Sequence, residues 1–433
     1  MLNFKVLTKI QSVALVAVIV FASIGGVAIY VLLGGQEPSS ETIKIGILAD
    51  IDEYWGKRTW QSAVLAAEHV NAEGGILGRQ IEVIAADSVS GVGTDVAEVT
   101  LALAKLISND QVDFIIGGAL SGDSIFACQE VIAEQKKIFF CGPTDDEFTQ
   151  RVLDDYDKYK YYFNFQLNAS SIFRGMTTYL LFCREMTGFN KVGYLGLDTD
   201  FAKGIMEGLD HFLPDNGFDL VYKGAYPMGT VDFSSYFAAA ESAGVEIMVP
   251  LIISGAVPVV KEYHDRQSPL VIYDGILAEI GNPESWVITD GKCNYVTVSV
   301  NAVTAGYPLT NKTLPAREAY IDRWGEYPAG LVVYDICRFI LPDAIERAGT
   351  IETDAVIEAL EETNIETSGS RNFAFTKSHS RMISEDPNDP DADYSPYTLF
   401  QWQNGEQVPV YPKKIMEKAR ATYIYPPWPG PWD

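Results

Sequence analysis

Residues 115–124 read IIGGALSGDS, between Val112-Asp113-Phe114 and IFACQEVIAEQ. A buried apolar strand here runs through two glycines into the first turn of a helix. Free N–H groups at a helix start attract anions, and glycines let a ligand come close to the main chain. A tight turn with Ser121 or Asp123 as N-cap explains the same residues. What surrounds the stretch decides between the two.

Around it, short β-branched runs alternate with amphipathic patterns. Strands are expected at IKIGILA (43–49), QIEVIAA (80–86), VDFIIGG (112–118) and KIFFC (137–141), with helices from about Lys57, about Thr94 and after Gly122. In the first helix Trp60, Val64, Ala67 and Val70 share a face, and Gly74-Gly75 supplies the stop. Strand followed by amphipathic helix, repeated, implies a parallel sheet covered on both faces. The pattern restarts at KVGYLGL (191–197) and continues through DLVYKGA, VEIMVPL and SPLVIY, with helices near 201–215, 232–243 and 255–266. Two doubly wound units therefore follow each other. After CNYVTVSV come helical segments near 315–325, 330–348 and 353–363, then strands at YTLFQWQ and VPVYP, too few for a third sheet and so expected to complete the first two units. In open α/β sheets ligands collect beyond the carboxyl ends of strands, where IIGGALSGDS lies.

A chain of 433 residues, 47% apolar, is long enough for two domains. Its net charge of −26 excludes a nucleic-acid backbone as partner, because no basic stripe is present to neutralise phosphates. Lys5 and Lys9 precede 21 uncharged residues, Val13 to Leu33, long enough to cross a bilayer core of about 30 Å. That length favours an uncleaved N-terminal transmembrane helix over a signal peptide, with a cytoplasmic N-terminus and the remainder extracytoplasmic. Residues 1–36 form this anchor or signal segment and its linker. The five cysteines, at 128, 141, 183, 293 and 337, lack a C-x-x-C spacing and sit in apolar contexts, which makes buried free thiols the default. Asn168 and Asn311 match the N-glycosylation pattern. EDPNDPDAD (385–393) reads as a solvated insertion rather than a calcium loop, and the tryptophans of the tail YPPWPGPWD as packing on the parent domain.

Catalysis needs a nucleophile with a base, a metal cluster or paired acids in a cleft. His69, His211, His264 and His379 have no metal spacing, Ser121 is not in a G-x-S-x-G elbow, and no phosphate-binding glycine motif is present. A binder without cofactor or metal is the better reading.

At this point the residues resemble a known family, the type I extracytoplasmic solute-binding proteins of ABC importers, in their branched-chain amino-acid and amide group. IKIGILADIDEYWG, AAEHVNAEGGILGRQIEVIAADS, VDFIIGGALSGDS, KIFFCGPTD and VVYDICRFILPDAIERAG carry the likeness, with a closing YTLFQWQNGEQVPVYP. The resemblance implies two lobes, 43–165 with 300–375 and 166–299 with 376–433, joined by three crossovers and closing on a ligand. It implies that Ser121 holds the ligand carboxylate, with main-chain contacts from Ala119 and Gly122, and that Trp55 or adjacent Tyr54 covers it. From the second lobe it implies Phe201 as an aromatic contact and Asp274 as the acceptor of the ammonium.

One departure is visible. Where the family has Ser-Pro, a small residue and a threonine, this chain has CGPTDDEF, which places Thr144, Asp145 and Asp146 at the ligand. An aspartate about 4 Å from the ligand carboxylate would repel it by about 4 kcal/mol at an effective dielectric of 20. That equals roughly three factors of ten in affinity. Either those aspartates point to solvent, or the ligand brings them a cationic group. The expected function is capture of an amino acid or related solute for an ABC permease, without bond chemistry; the alternative is a ligand-sensing ectodomain of a signalling complex.

Overall fold

The computed structural model describes residues 42–87, 96–118, 120–142, 145–252, 255–273, 276–277, 279–382 and 397–432. The expected anchor at Val13 to Leu33 and the loop at 385–393 lie outside the described residues. Among those described, no helix is long and apolar enough to cross a membrane.

The first unit is built in chain order from β1 (Ile43–Ala49), α1 (Tyr54–Ala72), β2 (Ile81–Asp87), α2 (Val96–Ser108), β3 (Phe114–Gly117), α3 (Gly122–Gln135), β4 (Ile138–Cys141), α4 (Glu147–Asp154) and β5 (Tyr162–Asn164). Its sheet is parallel, in the order β2-β1-β3-β4-β5. Helices cover both faces, so the central strands carry unbroken apolar runs: every residue of β3, β4 and β5 is buried.

The motif VNAEGGILGRQIEV now has a physical reason. Gly75 N–H returns to Val70 O (2.9 Å) to end α1, Ile76 and Arg79 exchange main-chain bonds, and the Asn71 amide brackets Ile81, accepting its N–H (2.7 Å) and donating to its carbonyl (2.8 Å). One side chain thus fixes where the second strand begins.

The second unit repeats the scheme with α5 (Ala169–Thr187), β6 (Lys191–Leu197), α6 (Asp200–Asp215), β7 (Asp219–Tyr226), α7 (Ser234–Ser242), β8 (Ile247–Ile252), α8 (Ala256–Arg266), β9 (Val271–Ile272) and β10 (Ile276–Leu277). Its parallel order is β10-β8-β6-β7, and β9 pairs with the first half of β8 as β10 does with the second. After β11 (Thr297–Ser299) the chain supplies α9 (Thr313–Trp324), the helical stretch 332–348 with a π-helical turn at Ile336–Ile340, α10 (Thr353–Glu361) and the short pair β12 (Asn364–Ile365) and β13 (Phe373–Ala374). These pack into the apolar core of the first sheet. His379, fully buried, stacks on Phe163 with ring centroids 4.1 Å apart. Its Nδ1 lies 3.0 Å from Tyr162 O and its Nε2 2.8 Å from Glu361 Oε1.

The last strands correct an expectation. β14 (Leu399–Gln403) and β15 (Glu406–Tyr411) are not too few for a third sheet: with β11 they form a separate three-stranded antiparallel one, whose Leu399, Phe400, Trp402, Val410 and Tyr411 pack into the apolar cores of the second unit. The cause is the two-residue turn Asn404-Gly405, with φ of 52° and 93°, a geometry that closes tight hairpins. The tail packs back, as expected: Trp428 is buried and donates to Ser268 O (3.0 Å), and Trp432 stacks on Tyr425. All five cysteines are buried free thiols. Burial pushes the Cys293 thiol up to about 11 and those of Cys128, Cys183 and Cys337 up to about 12, which keeps them unreactive.

Between β1 and α1 the turn is too tight for a side chain at Gly56: a Cβ there would stand 1.8 Å from Asp50 O. Gly56→Ala is expected to cost about 3 kcal/mol through overpacking, read as a lowered urea midpoint. An unchanged midpoint would contradict this placement of the α1 start.

Candidate ligand-binding cleft

In each parallel sheet the chain reverses winding direction at one point, between β1 and β3 in the first unit and between β6 and β8 in the second. Helix starts gather at these strand ends, where ligands bind in such folds. β3 ends at Gly117, Gly118 N–H bonds Leu48 O (2.9 Å), and the chain enters α3 through Ser121. Ser121 is extended (φ −69°, ψ 155°); its Oγ accepts from Ser124 N–H at 3.4 Å and donates to Ser124 Oγ at 2.9 Å. The N-cap reading of IIGGALSGDS is therefore correct. It leaves the N–H groups of Gly122 and Asp123 without a helical acceptor, so the cap and an anion-attracting edge coexist.

The two aspartates that follow β4 part company. Asp146 Oδ2 accepts from Ser170 Oγ (2.5 Å) and Ser170 N–H (3.1 Å), at the first turn of α5. It is thus held by the start of the second unit's first helix, beside Asn168, whose Oδ1 accepts from Ser171 N–H. Asp145 is exposed and has no such partner among the described residues. Its Oδ2 lies 3.9 Å from where a Cβ on Gly122 would stand, at the mouth of α3. Its pKa is raised, first by a partial loss of hydration and then by the negative charges of Asp146 and Glu147.

At the start of α1 the adjacent aromatics also separate. Trp55 is 48% exposed and meets Tyr54 edge-on, with centroids 5.0 Å apart. Tyr54 lies under the Arg58 guanidinium (3.7 Å to the ring centroid) and is close enough to Asn282 and Glu284, which follow β10, to interact with both. Its phenol pKa is raised by burial, with Arg58 opposing and Glu284 adding to the shift. Arg58 is itself paired with Glu326 (3.5 Å), as is Lys57 (2.6 Å). Of the two aromatics, Tyr54 is the one that spans the gap between units.

The remaining expected residues are placed less fully. Phe201 lies in the first turn of α6, whose N-cap Thr199 accepts from Ala202 N–H (3.3 Å). Ala119, Thr144 and Asp274 lie outside the described residues, Asp274 between β9 and β10. A carboxylate that the sequence reading missed does stand at this edge: Glu279 Oε1 and Oε2 accept from Gly255 and Ala256 N–H, each at 3.1 Å, and so cap α8. Its separation of 24 and 23 residues from those donors hides it from any local capping pattern. Among the described residues no group of three or more His, Cys, Asp or Glu side chains is arranged to hold a metal ion.

Asp146→Ala removes both bonds to Ser170. We expect a loss of about 1 kcal/mol, the scale of a lost helix cap, in equilibrium unfolding. No loss would show that this tie between the units carries no stability.

A family model described as periplasmic binding protein matches residues 42–407. The Leu/Ile/Val-binding protein homolog 7 of Brucella suis biovar 1 is 24% identical over 408 residues, 88% of this chain and 94% of the relative. A structure assigned to a branched-chain amino acid ABC transporter of Silicibacter pomeroyi superposes with TM-score 0.76 at 18% identity, covering 90% of this chain and 100% of that one. The branched-chain amino acid transporter substrate binding protein of Streptococcus pneumoniae, solved with isoleucine, gives TM-score 0.64 at 19% identity over 85% of this chain and 100% of its own. The two facing doubly wound sheets are thus a shared architecture, and the chain belongs to the periplasmic binding protein family, whose members bind solutes and do no bond chemistry.

Proposed function

We propose that this chain is the extracytoplasmic substrate-binding component of an ABC importer, capturing an amino acid or related small solute between its two units and delivering it to permease subunits. The observation that carries the reading is the edge itself: helix starts from both sheets, a free N–H pair at Gly122 and Asp123, and Tyr54 reaching the opposite unit. The family match and the relatives' branched-chain amino acid ligands support the solute class. Tyr54 covers the ligand, with Trp55 beside it at the rim; Ser121 and Gly122 hold its anionic group together with Ala119 and Thr144; Phe201 and Asp274 contribute from the second unit. Closure follows from tighter binding to the shut form.

The unit boundaries we propose are 43–165 with 300–382, and 166–299 with 397–433. Residues 376–382 go with the first unit because Asn164 N–H bonds His379 O (2.8 Å) and Arg381 N–H bonds Asn164 O (2.9 Å). Val13 to Leu33 is proposed as the membrane anchor that holds both units on the extracytoplasmic side, on its length without a charge.

The test is thermal unfolding of the protein against the standard amino acids, small amides and amines. A true ligand at about 100 times its dissociation constant is expected to add about 2.7 kcal/mol to the folded state. Silence across the panel, after unfolding and refolding to strip retained ligand, would remove the amino-acid assignment. Ser121→Ala is expected to cost about 1 kcal/mol of stability as a lost cap and, in addition, to weaken ligand binding measured by calorimetry. Loss of stability with an unchanged dissociation constant would restrict Ser121 to capping.

A further inference from the structure

Two helix starts at the cleft edge face where a ligand would sit, and a carboxylate of the chain itself stands at each. In the second unit both oxygens of Glu279 occupy the N–H groups that open α8. In the first, Asp145 stands at the mouth of α3. No ion pair among the described residues reaches Asp145; Lys158 and Arg151, the cations nearest in sequence beyond α4's start, are taken by Glu130 in the second half of α3. Asp146 cannot turn away to relieve the crowding without giving up Ser170.

A second observation points the same way. Tyr162 on β5 and Tyr226 at the end of β7 are 1% and 2% exposed, and neither hydroxyl has a hydrogen-bond partner among the described residues. Asp145 acts electrostatically on the first and Glu279 on the second, so each lone phenol lies within range of one of the two carboxylates. Buried hydroxyls without partners are uncommon in native structures and call for a reason.

Resting on the solute-binding reading above, we propose that the solute is net positive, a basic amino acid or a di- or polyamine, and that Asp145 receives its amine or guanidine group. A neutral amino acid would bring its carboxylate to a helix mouth that already holds an unpaired negative charge. A cationic solute gives Asp145 a charge-assisted hydrogen bond in place of that repulsion. The overall charge of −26 adds long-range attraction for such a solute.

Calorimetry on the full chain, stripped of retained ligand, tests this with L-arginine, L-lysine, putrescine and agmatine against L-leucine, L-isoleucine and L-valine. At least one cationic probe is expected to bind tenfold or more tighter than any of the aliphatic three. Asp145→Asn is expected to weaken that probe at least tenfold with no weakening of leucine, and Asp145→Glu, which keeps the charge, to retain most of the affinity. Tighter binding of leucine, isoleucine or valine overturns the cationic assignment and leaves the solute-binding reading intact. Unchanged affinity of the cationic probe in Asp145→Asn removes Asp145 as its receiver. No binding of any probe overturns both the cationic assignment and the amino-acid reading beneath it.

Discussion

When parallel strands lie side by side, every helix that follows one of them starts at the same edge of the sheet. The unsatisfied N–H groups of those helices collect there as partial positive charge. This chain makes that edge twice, at the ends of β1, β3 and β4 and again at the ends of β6 and β8, and uses it for the approach of one unit to the other. Asp146 crosses to Ser170, and Tyr54 reaches toward Asn282 and Glu284. The cleft is therefore a consequence of strand order, and the side chains at its rim decide what enters.

What distinguishes this rim is how much of its positive potential the chain has already used. Ser121 caps α3, Thr199 caps α6, Asn168 and Asp146 cap α5, and Glu279 caps α8. Side-chain oxygens stabilise these helices locally, and the carboxylates among them bring negative charge to the helix starts. Asp145 adds a charge with no partner among the described residues. A scaffold whose bare helix starts suit a carboxylate is thereby turned toward a cation.

Much of the fold was legible because parallel, doubly covered strands advertise themselves as apolar runs. IKIGILA and KVGYLGL are strands over the very residues their patterns marked, and the start of α3 fell where Gly-Gly-Ala-Leu-Ser-Gly put it. The antiparallel sheet was misjudged although Asn404-Gly405 is a strong hairpin signal; weight given to strand number hid the turn chemistry. At the site, Ser121 was legible both as cap and as ligand contact because both roles arise from one helix end. Glu279 was not, since a cap supplied from more than twenty residues away leaves no local spacing. Nor was the division of labour between Asp145 and Asp146, adjacent in sequence and set apart only by Ser170 of the other unit.

The central claim is that a small solute is held between the two sets of strand ends. Hydrogen exchange read by mass spectrometry, with and without saturating L-arginine and then L-leucine, tests it most directly. The account predicts slowed exchange on both sides at once, in peptides covering 119–124 and 143–147 and in those covering 253–256, with whichever probe binds. Slowed exchange confined to one unit, or lying away from these strand ends, would contradict it.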